Sequence, residues 1–140
     1  MALERPSKMW LNYLELRYEE LINRDSISFA ELSSSDIPNK PAIYLITARK
    51  QSHETAYYIG RTKKLRNRLK QHLLGDFGSA RLKKYLVDTK ECKDIDEAKE
   101  FLINCCLVRW IEEDDMRKRA ALEGYATGLL FPTHGFSEEH

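Results

Sequence analysis

The chain has 140 residues, ordinary for one domain and enough to bury a hydrophobic core without disulfide or metal staples. Its net charge of +1 points to no class of partner. No apolar run approaches the roughly 18 residues of a membrane span, and Cys92, Cys105 and Cys106 have neither disulfide-framework nor zinc-site spacing, so no membrane role is expected and reduced cysteines in the cytoplasm are.

Residues 7 to 24 read as an amphipathic helix. Trp10, Leu14 and Leu21, with Tyr13 and Tyr18 at shifted phase, form the apolar face, and Glu15, Glu19 and Glu20 lie outside. Such a helix either packs on the domain that follows or serves as a docking or homodimer surface. The N-terminus shows no signal-peptide core. Ser26 to Phe29 fits a short edge strand, and Glu31 to Lys40, with SSSD, Pro38 and Asn39, fits a connecting loop. Residues 1–40 are thus expected to be a helix and connecting segment packed on a domain spanning 41–136.

Pro41 to Gly75 organises the rest. Ala42 to Ile46 is a short apolar run and reads as a strand. Arg49 to Thr55 is polar and reads as a hairpin connection longer than two residues. Ala56 to Ile59 is a second strand, ended by Gly60. Leu65 to Leu74 holds good helix formers, with Leu65, Leu69 and Leu73 as the buried stripe and Gly75 as the stop. Arg68 and His72 are four residues apart on one edge of that stripe, facing Tyr44 and Tyr58 on the strands.

Asp76 to Ser79 is a turn. Ala80 to Val87 is a short basic helix or turn, with Arg81, Lys83 and Lys84 expected at the surface. Asp94, with Glu97 three residues on, marks the start of a helix ending near Asn104. Cys106 to Ile111 is β-prone. The acids from Glu112 to Asp115 either offset the positive end of the next helix or bind a metal. Met116 to Leu130 is the last helix; its Ala120, Ala121, Gly124, Ala126 and Gly128 favour close packing on the sheet. Glu123 then needs a partner, either Arg119 or a cation. Pro132 stops the helix, and Ser137 to His140 reads as a frayed tail. The fold class is α+β, a small three-stranded antiparallel sheet flanked by helices, with an extra N-terminal helix.

Charge is unevenly placed. Arg61 to Lys84 holds nine bases and one acid, whereas the remaining residues hold 14 bases and 21 acids. A basic face on an acidic body suits a phosphate backbone, and a solvated helix face is the plain alternative. The candidate backbone contacts are Arg61, Lys63, Lys64, Lys70, Arg81, Lys83 and Lys84.

Ala42-Ile43-Tyr44, then Tyr58-Ile59-Gly60, then Arg68 and His72, resembles the GIY-YIG nuclease module. That family includes homing endonucleases, the excision-repair nuclease subunit, some restriction enzymes and resolvases of branched DNA. Glu123 and Pro132 resemble its later glutamate and the proline nine residues on. Ala42 stands where the family has its first glycine. Thr133-His134-Gly135 stands where the family has an asparagine that helps tie down the site; His134 is a candidate substitute.

The resemblance implies a metal-dependent endonuclease acting on DNA, duplex or branched. It implies Tyr44, Tyr58, Arg68, His72 and Glu123 as catalytic residues, with Glu123 holding Mg²⁺ or Mn²⁺. Arg68 suits phosphate through its planar fork. A tyrosine serving as base near neutral pH needs positive charge beside it, expected from Arg68, His72 and the cation. Tyr44 is the first choice for activating water, Tyr58 for orienting water or phosphate, and His72 for holding a tyrosine hydroxyl or sharing its proton. Two alternatives stay open. One is a nucleic-acid-binding module of the same fold that does not cleave; the other is a subunit that needs a partner for activity. Each residue also has an ordinary reading, as sheet tyrosine, surface arginine or solvated helix histidine.

Overall fold

The structure is a computed structural model that describes residues 1–136. The tail read as frayed, Ser137 to His140, lies outside the described residues. In chain order the elements are α1 (Lys8–Asn23), β1 (Ile27–Ser28), a 3₁₀ turn (Phe29–Glu31), β2 (Ala42–Lys50), β3 (His53–Thr62), α2 (Leu65–Leu74), α3 (Arg81–Asp88), α4 (Ile95–Cys105), β4 (Cys106–Glu112) and α5 (Met116–Leu130). The sheet is antiparallel with strand order β1-β4-β2-β3. The three long strands are those expected. The fourth, β1, is two residues pairing with Val108 and Leu107, too short to change the architecture.

Helix boundaries follow the local signals. Ser7 caps α1 by accepting from the Trp10 amide, Asp94 caps α4 from Glu97, and Asp115 caps α5 from Lys118. The acidic run before α5 therefore has a capping role. The hairpin differs from the sequence reading. Arg49 pairs with Glu54 and Lys50 with His53, leaving only Gln51 and Ser52 in the turn, with Gln51 at φ 57°. Polar residues suit a loop, but an exposed hairpin end carries polar residues on paired strands equally well.

The sheet separates two layers. On one face Tyr44, Ile46, Tyr57 and Val108 pack with Leu65 and Leu69 of α2, Leu82 and Leu86 of α3, and Ala98 and Leu102 of α4. On the other, Ile43, Leu45, Ile59 and Ile111 pack with Leu14 and Leu21 of α1 and Leu122 and Ala126 of α5. The N-terminal helix thus packs on the sheet's second layer. Leu65 and Leu69 are fully buried, each stabilising by roughly 1.5–3 kcal/mol. Small residues on α5 divide: Ala126 is buried, whereas Gly124 and Gly128 face open space and do not mediate close packing.

One irregularity of the sheet shapes the site. Ile46 pairs with Tyr58 but Thr47 pairs with Ala56, so Tyr57 is an extra residue, a bulge in β3. A bulge breaks the alternation of faces. Tyr57 and Tyr58, adjacent in sequence, both pack with the α2–α4 layer.

Candidate active site

Tyr44 lies in the middle of the sheet's α2 face and is 1 % exposed. Gly60 sits opposite it on β3, and a β-carbon there would lie 2.3 Å from the Tyr44 hydroxyl oxygen. The glycine is required because the phenol occupies that space. Tyr58 is the diagonal neighbour, its ring centroid 6.2 Å from that of Tyr44. Ala42 is fully buried in the same layer, so its methyl group fits where the motif has glycine.

Helix α2 brings the polar partners. His72 Nε2 lies 2.8 Å from the Tyr44 hydroxyl, and Arg68 Nε donates to that hydroxyl at 3.3 Å. Arg68 is itself held: Nη1 donates to Gln71 Oε1 at 3.1 Å and to the Ser79 carbonyl at 2.8 Å. The His72 ring meets Tyr44 and Tyr58 edge-on, with centroids 5.5 and 5.1 Å away. Four of the expected residues therefore form one contact cluster.

Glu123 comes from the other layer. Its side chain is 28 % exposed and pairs with Arg61 of β3 at 3.7 Å. Its charge is the weakest of the influences on the Tyr44 and Tyr58 hydroxyls, raising both slightly. The partner expected within α5 is otherwise engaged: Arg119 donates to the carbonyls of Glu113 and Asp114, tying the chain into α5.

The electrostatics correct one expectation. His72 supplies no positive charge, because burial, with Arg68 and Lys83 nearby, drives its pKa down to about 3. Its Nδ1 is buried without a hydrogen-bond partner. Burial also raises the Tyr44 and Tyr58 hydroxyls above their ordinary value, against the opposing pull of Arg68. Both are neutral phenols at neutral pH. Burial raises the Glu123 carboxyl as well, with Arg61 pulling the other way.

Among the described residues no group of three or more His, Cys, Asp or Glu side chains is placed to hold a metal ion. Glu123 alone fits a different kind of site. A half-buried carboxylate whose burial disfavours its charge, opposed by the charge and the backbone amide of Arg61, suits a hard cation that keeps most of its waters.

The basic residues divide. Thr62, Lys63, Lys64, Asn67, Arg68 and Gln71 line a cavity of about 520 Å³, so Lys63 and Lys64 flank Arg68. Arg81 is exposed. Lys70 is exposed beside an apolar groove with Phe29, Leu73 and Ile103. Arg61 faces Glu123, and Lys84 pairs with Asp88 at 2.6 Å. Lys83 is not a surface contact. It is buried and donates to the Leu73 carbonyl at 2.8 Å, satisfying the C-terminal end of α2, and burial lowers its pKa.

A second cluster adjoins the first. Glu91, between α3 and α4, accepts from the Tyr57 hydroxyl at 2.8 Å, His134 Nε2 at 3.1 Å and Lys50 at 3.4 Å. The sequence reading missed Glu91, since a lone glutamate in a turn-rich stretch carries no periodicity or motif. His134 is buried and bonds to Glu91 rather than to Tyr44, Arg68 or Glu123.

The model of the GIY-YIG catalytic domain matches residues 40–130, and the chain belongs to that family. The solved GIY-YIG N-terminal endonuclease domain of UvrC from Thermotoga maritima, a point mutant bound to its catalytic divalent cation, is similar at 18 % identity and a TM-score of 0.45, over 71 % of this chain and 87 % of that one. No curated protein matches. The chain thus carries the domain architecture of a nuclease family. No described helix is long and apolar enough to cross a membrane.

Proposed function

We propose that the protein is a metal-dependent endonuclease that hydrolyses DNA phosphodiester bonds, with its reacting groups in residues 41–136 and residues 1–40 as a supporting helix and connecting segment. The observation that carries this reading is the Tyr44 hydroxyl. It sits within hydrogen-bond reach of both Arg68 and His72, and the charge of Glu123 acts on it from another element.

Arg68 can only donate to the phenol oxygen, which leaves the phenol proton free to go to His72 Nε2. In the proposed step, water attacks phosphorus and gives its proton to Tyr44. Tyr44 in turn passes its own proton to His72, and the bond from phosphorus to the departing oxygen breaks, that oxygen leaving with the bonding pair and taking a proton from solvent water. The negative phosphate offsets Arg68 and so raises the proton affinity of His72 during the step. Arg68 also faces the cavity with Lys63 and Lys64, where it meets phosphate oxygens. Tyr58 orients the water or the phosphate. Glu123 holds Mg²⁺ or Mn²⁺; when bound, the ion supplies charge stabilisation at the phosphoryl oxygens. Lys63, Lys64 and Arg81 contact backbone phosphates without reading sequence. Free cysteines, two of them buried, fit a reducing cytoplasm.

One observation favours a second reading. Tyr44 is almost wholly buried and burial keeps it a neutral phenol, which suits a DNA-binding module that no longer cleaves. A panel of duplex, flap, junction and single-stranded DNA with Mg²⁺ or Mn²⁺ separates the two. The first reading expects cleavage that Glu123→Ala abolishes while DNA binding is kept. Absence of cleavage with every substrate and either ion overturns it in favour of the second. A homodimer or partner docked through α1 is tested by the molar mass of the purified chain in solution.

A further inference from the structure

The second cluster lies against the first, and it has a geometry of its own. After α5 the chain turns at Phe131, in the left-handed region at φ 46°, and runs back along the edge strand. The Thr133 amide donates to the Ala56 carbonyl at 3.0 Å and the His134 amide to the Tyr57 carbonyl at 2.9 Å. The His134 ring stacks on Tyr85, with centroids 6.2 Å apart, and meets Tyr57 edge-on at 5.2 Å. Gly135 follows at φ 101°, and a β-carbon there would lie 3.2 Å from Cδ2 of Tyr58. The Gly135 backbone is therefore one wall of the Tyr58 ring, with Tyr85 and His72 on other sides.

Glu91 holds this arrangement. Its side chain is 27 % exposed. Oε2 takes the Tyr57 hydroxyl and Lys50, and Oε1 takes His134. A carboxylate only accepts, so His134 donates from Nε2. Burial would raise this carboxyl, but the bonds from Tyr57 and His134 and the charge of Lys50 outweigh it and hold the carboxyl below its ordinary range. The two strands of one hairpin, β2 and the bulged β3, and the remote segment after α5 thus converge on one anion.

We propose that Glu91 and His134 form a clamp that positions Tyr58, by fixing the Gly135 backbone against its ring. Both clamp residues touch only other protein groups, so they are positioning residues. His134 and Gly135 lie beyond residues 40–130, where the family match ends. The inference rests on the nuclease reading only for what Tyr58 does, not for what holds it in place.

The test places fluorotyrosine at position 58 in the full chain and follows its fluorine NMR signal. Glu91→Gln and His134→Ala are expected to shift and broaden the signal while far-UV circular dichroism is kept. His134→Gln retains a donor and returns the signal toward that of the parent. In the same variants, cleavage should fall about tenfold to a hundredfold in kcat with KM nearly unchanged, as expected for misplacement of a reacting group. If Glu91→Gln and His134→Ala do not fold, Gly135→Ala probes the contact directly, leaving Glu91 and its three donors in place. An unmoved signal in folded Glu91→Gln and His134→Ala, or in Gly135→Ala, overturns the clamp. A parent protein that cleaves no DNA removes the nuclease reading and leaves the NMR signal to decide the clamp.

Discussion

Two buried histidines on the same face of the sheet have opposite surroundings. His72 faces a phenol and has Arg68 and Lys83 nearby; it has no carboxylate partner, and its Nδ1 has no partner at all. His134 faces a carboxylate and two aromatic rings. Each polar contact around His134 pairs a donor with an acceptor, which is how a fold stabilises itself. The contacts around His72 leave a buried polar atom unpaired beside a neutral phenol. An imperfection of that kind is tolerated where it serves chemistry. The contrast fits the proposed nuclease reading, with reaction in the first cluster and support in the second.

The largest expected effect lies in the first cluster. Tyr44→Phe removes only the hydroxyl, and kcat should fall about a hundredfold to ten-thousandfold, the usual span for a positioned acid or base. DNA affinity measured by fluorescence anisotropy should stay the same. Unchanged cleavage would end the contrast, because Tyr44 would then be a core residue like Tyr57.

His72→Leu comes next. Cleavage should fall about a hundredfold. Stability at neutral pH should fall by roughly 1–3 kcal/mol, since the buried Tyr44 hydroxyl loses its acceptor, a cost that removal of the unpaired nitrogen offsets in part. The pH dependence should change too. His72 is held near 3 in the fold against an ordinary 6.5, so the unfolded chain binds the extra proton between those values. The stability it contributes is complete above pH 6.5 and is lost as pH falls toward 3. Urea titrations across that window should slope in the parent and flatten in His72→Leu.

Glu91→Gln should lower stability by roughly 1.5–3 kcal/mol in urea denaturation through weakened charged hydrogen bonds. The Glu91 carboxyl sits below its ordinary value of 4.5 in the fold, so its contribution is present above that pH and lost as pH drops through the folded value. A stability curve for Glu91→Gln that parallels the parent in acid would show the second cluster to be less of a support than its contacts imply.

The smallest effects lie outside both clusters. Lys63→Ala should reduce the salt dependence of DNA binding by about one unit in the log–log slope. Lys83→Ala should leave that slope alone and lower stability by about 1 kcal/mol, since its ammonium satisfies a helix carbonyl. A fall in slope for Lys83→Ala would return it to the DNA-contact set.

Helices were legible in the sequence because their signals are local. The ends of α2 and α5 fall at Leu65, Leu74, Met116 and Leu130, as read from periodicity, Gly75 and Pro132. Tyr44, Arg68 and His72 were legible because a strand and a helix with one short connection hold them at fixed spacing. The partner of Glu123 was not, since Arg61 is 62 residues away in sequence and only packing sets that distance. Nor was the burial of Lys83, which looks in sequence like its neighbours Arg81 and Lys84.

By itself the sequence determined the order of elements and the motif residues on the hairpin and α2, because these depend on neighbours a few positions apart. Tertiary structure decided the charge states. Burial stripped His72 of its proton and kept the tyrosines neutral, and desolvation is a property of packing that no spacing reveals. It also decided that a bulge at Tyr57, a turn glutamate and a residue after the last helix meet beside Tyr58, because contacts that close long loops are specified only by the folded chain.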